Sequence, residues 1–168
     1  MTICFPAIAP SARAALLVAR RSWRSALRPI AARSVTTNTP HPSRSAMQPV
    51  FTSRGVTPIG PYSQAIKANG LVFVSGQIPA ETDGKLIEGT TAMKTHKMCQ
   101  NAKAVLEAAG SGLDKVVKVT VYFQNMDDFK EMNEIYATYF PHKPARSSCE
   151  ARRLPASASM EMDIIALY

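Results

Sequence analysis

Strand-like and helix-like segments alternate along the C-terminal two-thirds of the chain, and their order constrains the fold more than any other feature of the sequence. A short apolar run at 71–75 and two alternating segments at 116–123 and 160–167 have the two-residue period of β-strands. Residues 91–109 and 127–141 separate these strands and carry apolar side chains at helical spacing. Strands connected through single helices favour one mixed sheet with both helices packed on one face. We therefore predict a single α+β domain.

Local signals at the ends of the first segments support this assignment. Asn69 and Gly70 predict a hairpin turn between the run at 71–75 and a preceding strand at 63–67. Gly110 directly follows the first helix, where a C-cap glycine is expected. The chain therefore carries turn and cap residues where the alternating pattern requires them.

The second helix and the strands around it carry boundary signals as well. Asp128 and Glu131 have the spacing of a capping box, which predicts that the second helix begins there. Arg146 follows Pro144 and opens a further predicted strand. Alternation assigns these side chains to the buried faces of the two alternating strands: Val117, Val119, Val121 and Phe123 in one, and Met160, Met162, Ile164 and Ala166 in the other.

The opposite face of the last strand is only partly polar. Ile165 and Leu167 share this face with Glu161 and Asp163. Because a mixed face of this kind is poorly solvated, we predict that another copy of the chain covers it.

The positive charge of the chain is concentrated at its N-terminus. Of the formal net charge of +8, seven units come from arginines in residues 1–50, which contain no lysine and no acid; the first acidic residue is Glu81. Residues 51–168 are therefore close to neutral, at +1. This part of the chain lacks the basic stripe with interleaved aromatic residues that is typical of nucleic-acid binding.

Residues 1–35 are predicted to be a mitochondrial transit peptide that directs the protein to the matrix. The segment is rich in Arg, Ala and Ser, and its arginines lie opposite its apolar residues when it is drawn as a helix. We expect cleavage near Arg33–Val35. The apolar run at 14–19 is shorter than the core of a secretory signal, although a disordered basic tail that binds polyanions remains an alternative.

A flexible Pro/Ser/Thr-rich linker is predicted at 36–49, followed by the folded domain at 50–168. No segment approaches the ~20 apolar residues of a membrane span, so no membrane association is expected after import. The three cysteines show no CxxC spacing, so no disulfide framework is indicated: Cys4, Cys99 and Cys149. The three histidines are scattered along the chain, so no metal site is indicated: His41, His96 and His142.

Three polar residues stand out as candidates for a site. Arg146 has no evident structural need for its cation, and its planar guanidinium suits a carboxylate ligand. Glu161 lies between two methionines, where apolar surroundings can raise the pKa of a carboxyl group and allow it to handle a proton. Tyr62 lies on a turn stiffened by glycine and proline. Each also has a plain structural interpretation: a surface ion pair, a solvated strand face and a core aromatic.

Several motifs, in order and without large gaps, resemble the RidA/YjgF family of small imine deaminases over 50–168. They are GPYSQA (60–65), VFVSGQIP (72–79), NAKAVLEAAG (101–110), VVKVTVYFQNMDDF (116–129) and PARSSCEARRLP (144–155). The resemblance implies a chorismate-mutase-like α+β fold, a homotrimer and ligand clefts between subunits. It also implies hydrolysis of 2-imino acids, such as 2-iminobutanoate and 2-iminopropanoate, to 2-keto acids and ammonia without a cofactor. These substrates are released by pyridoxal-phosphate-dependent serine and threonine dehydratases.

The resemblance also assigns roles to individual residues. It implies that Arg146 binds the substrate carboxylate and that Glu161 positions water, so these two residues are the expected catalytic pair. It implies further substrate-binding contributions from a group of four: Tyr62, Gly76, Asn133 and Ser148. Many relatives carry cysteine where this chain has Ser148, and here Cys149 follows, on the opposite face of a regular strand.

Two other functions stay open at this stage. Some relatives have been assigned endoribonuclease or translation-inhibiting activity, which the near-neutral domain disfavours. A non-catalytic trimer that binds keto acids and supports mitochondrial maintenance is the other alternative. Salt-sensitive RNA binding would favour the first, and tolerance of a Glu161→Gln change would favour the second.

Overall fold

A computed structural model describes residues 47–168, which form six strands and two helices. The elements follow the chain as β1 (Gln48–Val50), β2 (Ala65–Ala68), β3 (Leu71–Gln77), α1 (Thr91–Ala108), β4 (Val116–Phe123), α2 (Phe129–Tyr139), β5 (Ala145–Glu150) and β6 (Met160–Leu167). The predicted α+β class is confirmed. The transit peptide predicted at 1–35 lies outside the described residues, as does most of the linker. Strand β1 begins at Gln48, inside the linker predicted at 36–49.

One mixed sheet contains all six strands, in the order β1-β2-β3-β6-β4-β5. Neighbouring strands are antiparallel except β4 and β5, which are parallel and are connected through α2. The hairpin predicted at Asn69 and Gly70 is confirmed, and both residues have the positive φ that this turn requires. The last strand, β6, lies at the centre of the sheet between β3 and β4.

Both helices pack on one face of the sheet over a continuous apolar core. Every second residue of β6 points into this core, as predicted, from Met160 to Ala166. Helix α1 contributes buried side chains such as Met98 and Leu106, and α2 contributes Met132 and Tyr136. Full burial of a side chain of this size contributes roughly 1.5–3 kcal/mol to the stability of the fold. The apolar face of each strand therefore packs against the helices, and the opposite face is left for a site.

The predicted face assignment within β4 was wrong at one residue. Val117 is 39% exposed, whereas Val116 is buried. The pairing with β6 shifts register between Val116 and Lys118, as it does at a β-bulge. From Val119 onward the predicted alternation holds.

The capping box predicted for α2 was also wrong. The Asp128 side chain makes no capping hydrogen bond to its own helix; instead its Oδ1 accepts a hydrogen bond from the Thr91 hydroxyl at 2.6 Å. The Glu131 Oε1 accepts one from the Ala92 backbone N–H at 2.9 Å. Both carboxylates therefore stabilise the N-terminus of α1, where the helix dipole favours negative charge. The C-cap glycine is confirmed, because Gly110 adopts φ 78° at the end of α1.

Candidate functional site

A pocket of about 270 Å³ opens where the bulged end of β3 meets the start of β6. Loops before β2 and before β6 form its other walls. Half of the lining residues are apolar or aromatic: Val56, Ile59, Tyr62, Ile78, Pro155 and Ala156. Among the residues that the structure describes, Glu161 is the one carboxylate in the lining. A small apolar cavity with few polar groups is the usual form of a small-molecule site.

Glu161 reaches this pocket because the side chains of β6 point alternately to the two faces of the sheet. Its neighbours Met160 and Met162 point into the core, so the Glu161 side chain lies on the face away from the helices and is half-buried. Burial, and then the negative charge of Asp163, raise the pKa of the Glu161 carboxyl. A carboxyl group with a raised pKa, in a partly apolar pocket, is a better proton acceptor than an ordinary carboxylate and can take up and return a proton.

Gly76 lies directly under the Glu161 carboxylate. Gly76 lies in the stretch between Val74 and Gln77, where the pairing of β3 with β6 shifts register. A Cβ atom at position 76 would overlap with the Glu161 carboxylate. Glycine at this position therefore creates the space that the carboxylate occupies.

Tyr62 stands at the pocket wall on the turn predicted from Gly60 and Pro61. Its side chain is 48% exposed, and its hydroxyl accepts a hydrogen bond from the Ile59 backbone N–H at 3.4 Å. Three predicted site residues, Tyr62, Gly76 and Glu161, therefore line one pocket.

Two buried glutamines of the same pocket were not identified from the sequence. The Gln64 amide donates to the Val56 carbonyl at 2.9 Å, and its oxygen accepts from the Thr52 backbone N–H at 2.6 Å. These bonds hold the loop that forms one wall. The side-chain oxygen of Gln77 is buried without a hydrogen-bond partner among residues 47–168. The two glutamines lie inside the GPYSQA and SGQIP motifs, and this position is the signal that could have identified them.

Arg146 lies elsewhere, on the edge strand β5 and on the helix-covered face of the sheet. Its guanidinium carbon lies 4.6 Å from the centre of the Tyr136 ring and 5.5 Å from that of Phe129. Both rings belong to α2, of which Phe129 is the first residue. Within the described part of the chain, no carboxylate forms an ion pair with Arg146.

Ser148 and Asn133 lie beside Arg146 rather than in the pocket. Ser148 is two residues further along β5 on the same face, and its hydroxyl oxygen is buried with no hydrogen-bond partner among residues 47–168. Asn133 follows Phe129 by four residues and precedes Tyr136 by three, so it shares their face of α2. The six predicted site residues thus form two groups of three.

The two groups cannot meet one ligand within a single chain. Glu161 pairs with Tyr122 of β4, whereas Arg146 pairs with Val119 three residues earlier, on the far side of β4. With strands ~4.8 Å apart and ~3.3 Å per residue, their backbones are separated by about 10 Å in each direction. Their side chains also lie on opposite faces of the sheet.

Cys149 lies on the face opposite to Ser148, as predicted for a regular strand. It is exposed and stands level with Tyr122 of the neighbouring strand. The Tyr122 hydroxyl donates a hydrogen bond to Asp163 at 3.2 Å, and the negative charge of Asp163 raises the pKa of Tyr122. Beside Glu161, this face therefore carries a hydrogen-bonded polar pair rather than apolar side chains alone.

Residues 47–168 contain neither a metal-binding cluster nor a membrane-spanning helix. No group of three or more His, Cys, Asp or Glu side chains there is arranged to hold a metal ion. Neither α1 nor α2 combines the length and the apolar character that a membrane crossing requires.

The fold and the pocket together define a small α+β domain with a small-molecule site built around one carboxylate. Residues 52–168 match the family described as Endoribonuclease L-PSP. The chain belongs to this family, which is also known as the RidA/YjgF/RutC family, and the resemblance predicted from its motifs is thereby confirmed.

Individual relatives agree with this assignment. The mitochondrial protein MMF1 of Saccharomyces cerevisiae is 40% identical over 140 residues, which cover 83% of this chain and 90% of MMF1. The crystal structure of yeast Mmf1 superposes with a TM-score of 0.70 at 42% identity, covering 72% of this chain and 98% of that one. The crystal structure of E. coli TdcF with bound serine superposes with a TM-score of 0.68 at 31% identity, covering 72% of this chain and 98% of TdcF.

Proposed function

We propose that the protein hydrolyses 2-imino acids, such as 2-iminobutanoate and 2-iminopropanoate, to 2-keto acids and ammonia. The observation that carries the proposal is the half-buried Glu161 carboxylate, whose pKa is raised, at the wall of a small apolar pocket. An imine carbon beside a carboxylate is already electrophilic, so one positioned acid/base group suffices and no cofactor is needed. One positioned group of this kind supplies an acceleration of ~10²–10⁴-fold.

The active site is proposed to combine two chains of a homotrimer. Among residues 47–168, those that line the pocket include a carboxylate but no cation, and Arg146 lies outside the pocket without an acidic partner. A second chain that places its β5 edge over the pocket would supply the missing cation. Exposed apolar side chains on the helix-free face, among them Phe73 and Leu167, support such packing.

Each step of the reaction has a residue to support it. Arg146 of the partner chain binds the substrate carboxylate with its planar guanidinium. Glu161 takes a proton from the attacking water while the new C–O bond forms at C2 and the C=N π electrons move to nitrogen. Return of that proton to nitrogen gives a carbinolamine. Protonation of its amino group and loss of the hydroxyl proton then break the C–N bond and release ammonia.

Two relatives support a proposal for the cellular setting. MMF1 of Saccharomyces cerevisiae is a mitochondrial protein, and E. coli TdcF was crystallised with serine, an amino acid that carries the same carboxylate group. We propose that this chain acts in the mitochondrial matrix. There it would remove the 2-imino acids that pyridoxal-phosphate-dependent serine and threonine dehydratases release.

The proposal is tested by measuring imine hydrolysis with a purified threonine dehydratase as the source of 2-iminobutanoate. We expect the purified chain to accelerate formation of 2-oxobutanoate and to shorten the lifetime of the imine, which semicarbazide trapping measures. No acceleration, together with salt-sensitive RNA cleavage that needs Arg152 and Arg153, would replace the proposal by the endoribonuclease alternative.

Gly76→Ala is expected to lower kcat/KM by roughly 10²-fold, because a displacement of a catalytic group by about 1 Å has this effect. The added Cβ displaces the Glu161 carboxylate, while the backbone of Gly76 needs no positive φ and can accept alanine. The measurement is steady-state imine hydrolysis, with thermal unfolding to verify the fold.

Gly60→Ala is the matched control for this change. A Cβ at Gly60 would meet the Tyr62 ring at 3.4 Å, an ordinary van der Waals distance, so near-normal activity is expected. Equal losses in the two variants would show that Gly76 has no special relation to Glu161.

A further inference from the structure

The Arg146 guanidinium is held by aromatic faces instead of by an acid. The Tyr136 and Phe129 rings both lie within the ~6 Å at which a cation is attracted to a ring face. No ion pair within residues 47–168 involves Arg146. The positive charge is therefore oriented but not neutralised.

Arg54, in contrast to Arg146, forms an ion pair. Arg54 donates a hydrogen bond to the Glu107 carboxylate at 2.9 Å, and this ion pair neutralises the charge of Arg54. Aromatic faces interact with the plane of a guanidinium, so the N–H groups at its edge stay available. A carboxylate ligand could accept two of these N–H groups in parallel.

The Tyr136 ring is itself held firmly by its neighbours, so it can orient the Arg146 guanidinium. Its side chain is only 7% exposed and stacks on Phe140 at 4.4 Å between ring centres. Burial raises the pKa of Tyr136 to about 12, against the opposing effect of the Arg146 charge. The phenol therefore stays neutral at physiological pH, and its contact with Arg146 is not an ion pair.

We propose that Tyr136, with Phe129, is a positioning residue that pre-orients Arg146 to receive a substrate carboxylate. This inference rests on the proposed function, since it assigns to Arg146 the binding of the carboxylate. The rings reduce the side-chain entropy that Arg146 would otherwise lose when it binds its ligand. Their loss should weaken carboxylate binding more than it slows the chemical step.

The test compares Tyr136→Phe, which keeps the ring, with Tyr136→Leu, which removes it, in the full-length chain. The readouts are the Kd for 2-oxobutanoate by calorimetry, and KM and kcat for imine hydrolysis. We expect Tyr136→Leu to raise Kd and KM about tenfold, as loss of a largely desolvated cation–π contact does, with little change in kcat. We expect Tyr136→Phe to bind within about twofold of the unmodified chain.

Tyr139→Leu is the control on the same helix, because the Tyr139 hydroxyl contacts His96 and not Arg146. Its Kd should not change. If Tyr136→Leu does not fold, Phe129→Leu replaces it, with an expected rise in Kd of about threefold for the longer contact.

Several results would overturn the inference. The first is an unchanged Kd for 2-oxobutanoate in a folded Tyr136→Leu or Phe129→Leu variant. The second is an equal rise in this Kd for Tyr136→Phe and Tyr136→Leu. The third is that the unmodified chain does not bind 2-oxobutanoate. Failure of the proposed function has a different signature. In that case imine hydrolysis is absent, but 2-oxobutanoate still binds and the ring-deleting variants still weaken it.

Discussion

Arg146→Ala is expected to reduce imine hydrolysis below detection while the chain stays folded and assembled. Removing the guanidinium leaves the substrate carboxylate without its cation in a partly apolar pocket. Loss of one partner of such a charged pair costs several kcal/mol, which corresponds to a fall of about 10²-fold or more in kcat/KM. The measurements are the coupled dehydratase assay, 2-oxobutanoate binding and the oligomeric state by light scattering.

Two other arginine variants make this result specific. Arg146→Lys keeps the charge but loses the planar pair of donors and the stacking on Tyr136, so intermediate activity is expected. Arg54→Ala removes an exposed arginine that pairs with Glu107, and it should leave activity unchanged and stability within about 1 kcal/mol. Full activity of Arg146→Ala would contradict both the carboxylate-binding role and the two-chain site.

Glu161→Gln is expected to lower kcat by about 10²–10⁴-fold, the contribution of one positioned general acid/base. Glutamine has the same size and fits above Gly76, but it cannot accept the proton of the attacking water. Binding of 2-oxobutanoate should persist, because Arg146 is intact. An unchanged kcat would show that Glu161 is not the acid/base group, whereas binding of 2-oxobutanoate without hydrolysis by the unmodified chain would indicate a non-catalytic binder of keto acids.

The pH dependence of the unmodified protein gives an independent check on Glu161. Burial, and then Asp163, raise its pKa, so the acidic limb of kcat/KM should lie above the usual range of a carboxyl group. The basic form is the active one, and activity should therefore increase as pH rises through this pKa. Asp163→Asn removes a nearby negative charge and should move the limb toward lower pH, whereas Glu161→Gln should abolish it.

The order and faces of the elements could be predicted because the core selects them. Alternation in β6 placed Met160 inside and Glu161 outside, and the structure agrees. Val117 was assigned to the wrong face because a bulge depends on pairing with a distant strand, which local periodicity does not contain. Asp128 and Glu131 were assigned to the wrong helix for a similar reason, since their partners in α1 are 37 and 39 residues away.

The site could be predicted only in part. Motif resemblance pointed to the six residues, and three of them line the pocket, but no pattern along the chain indicated that Arg146 lies on the opposite face at the sheet edge. Tyr136 of α2 is a buried core residue. Its second contact, with Arg146, depends on how α2 crosses β5, which is a property of tertiary packing.

The two open edges of the sheet differ in how well they resist unwanted strand pairing. Strand β1 is only three residues long and contains Pro49, which has no N–H to offer an incoming strand. Strand β5 is six residues long, and its protection comes from charged side chains, Arg146 and Glu150. The arginine that we propose for substrate binding therefore also acts as a gatekeeper against aggregation, and loss of its charge would lower solubility whenever chains are unassembled.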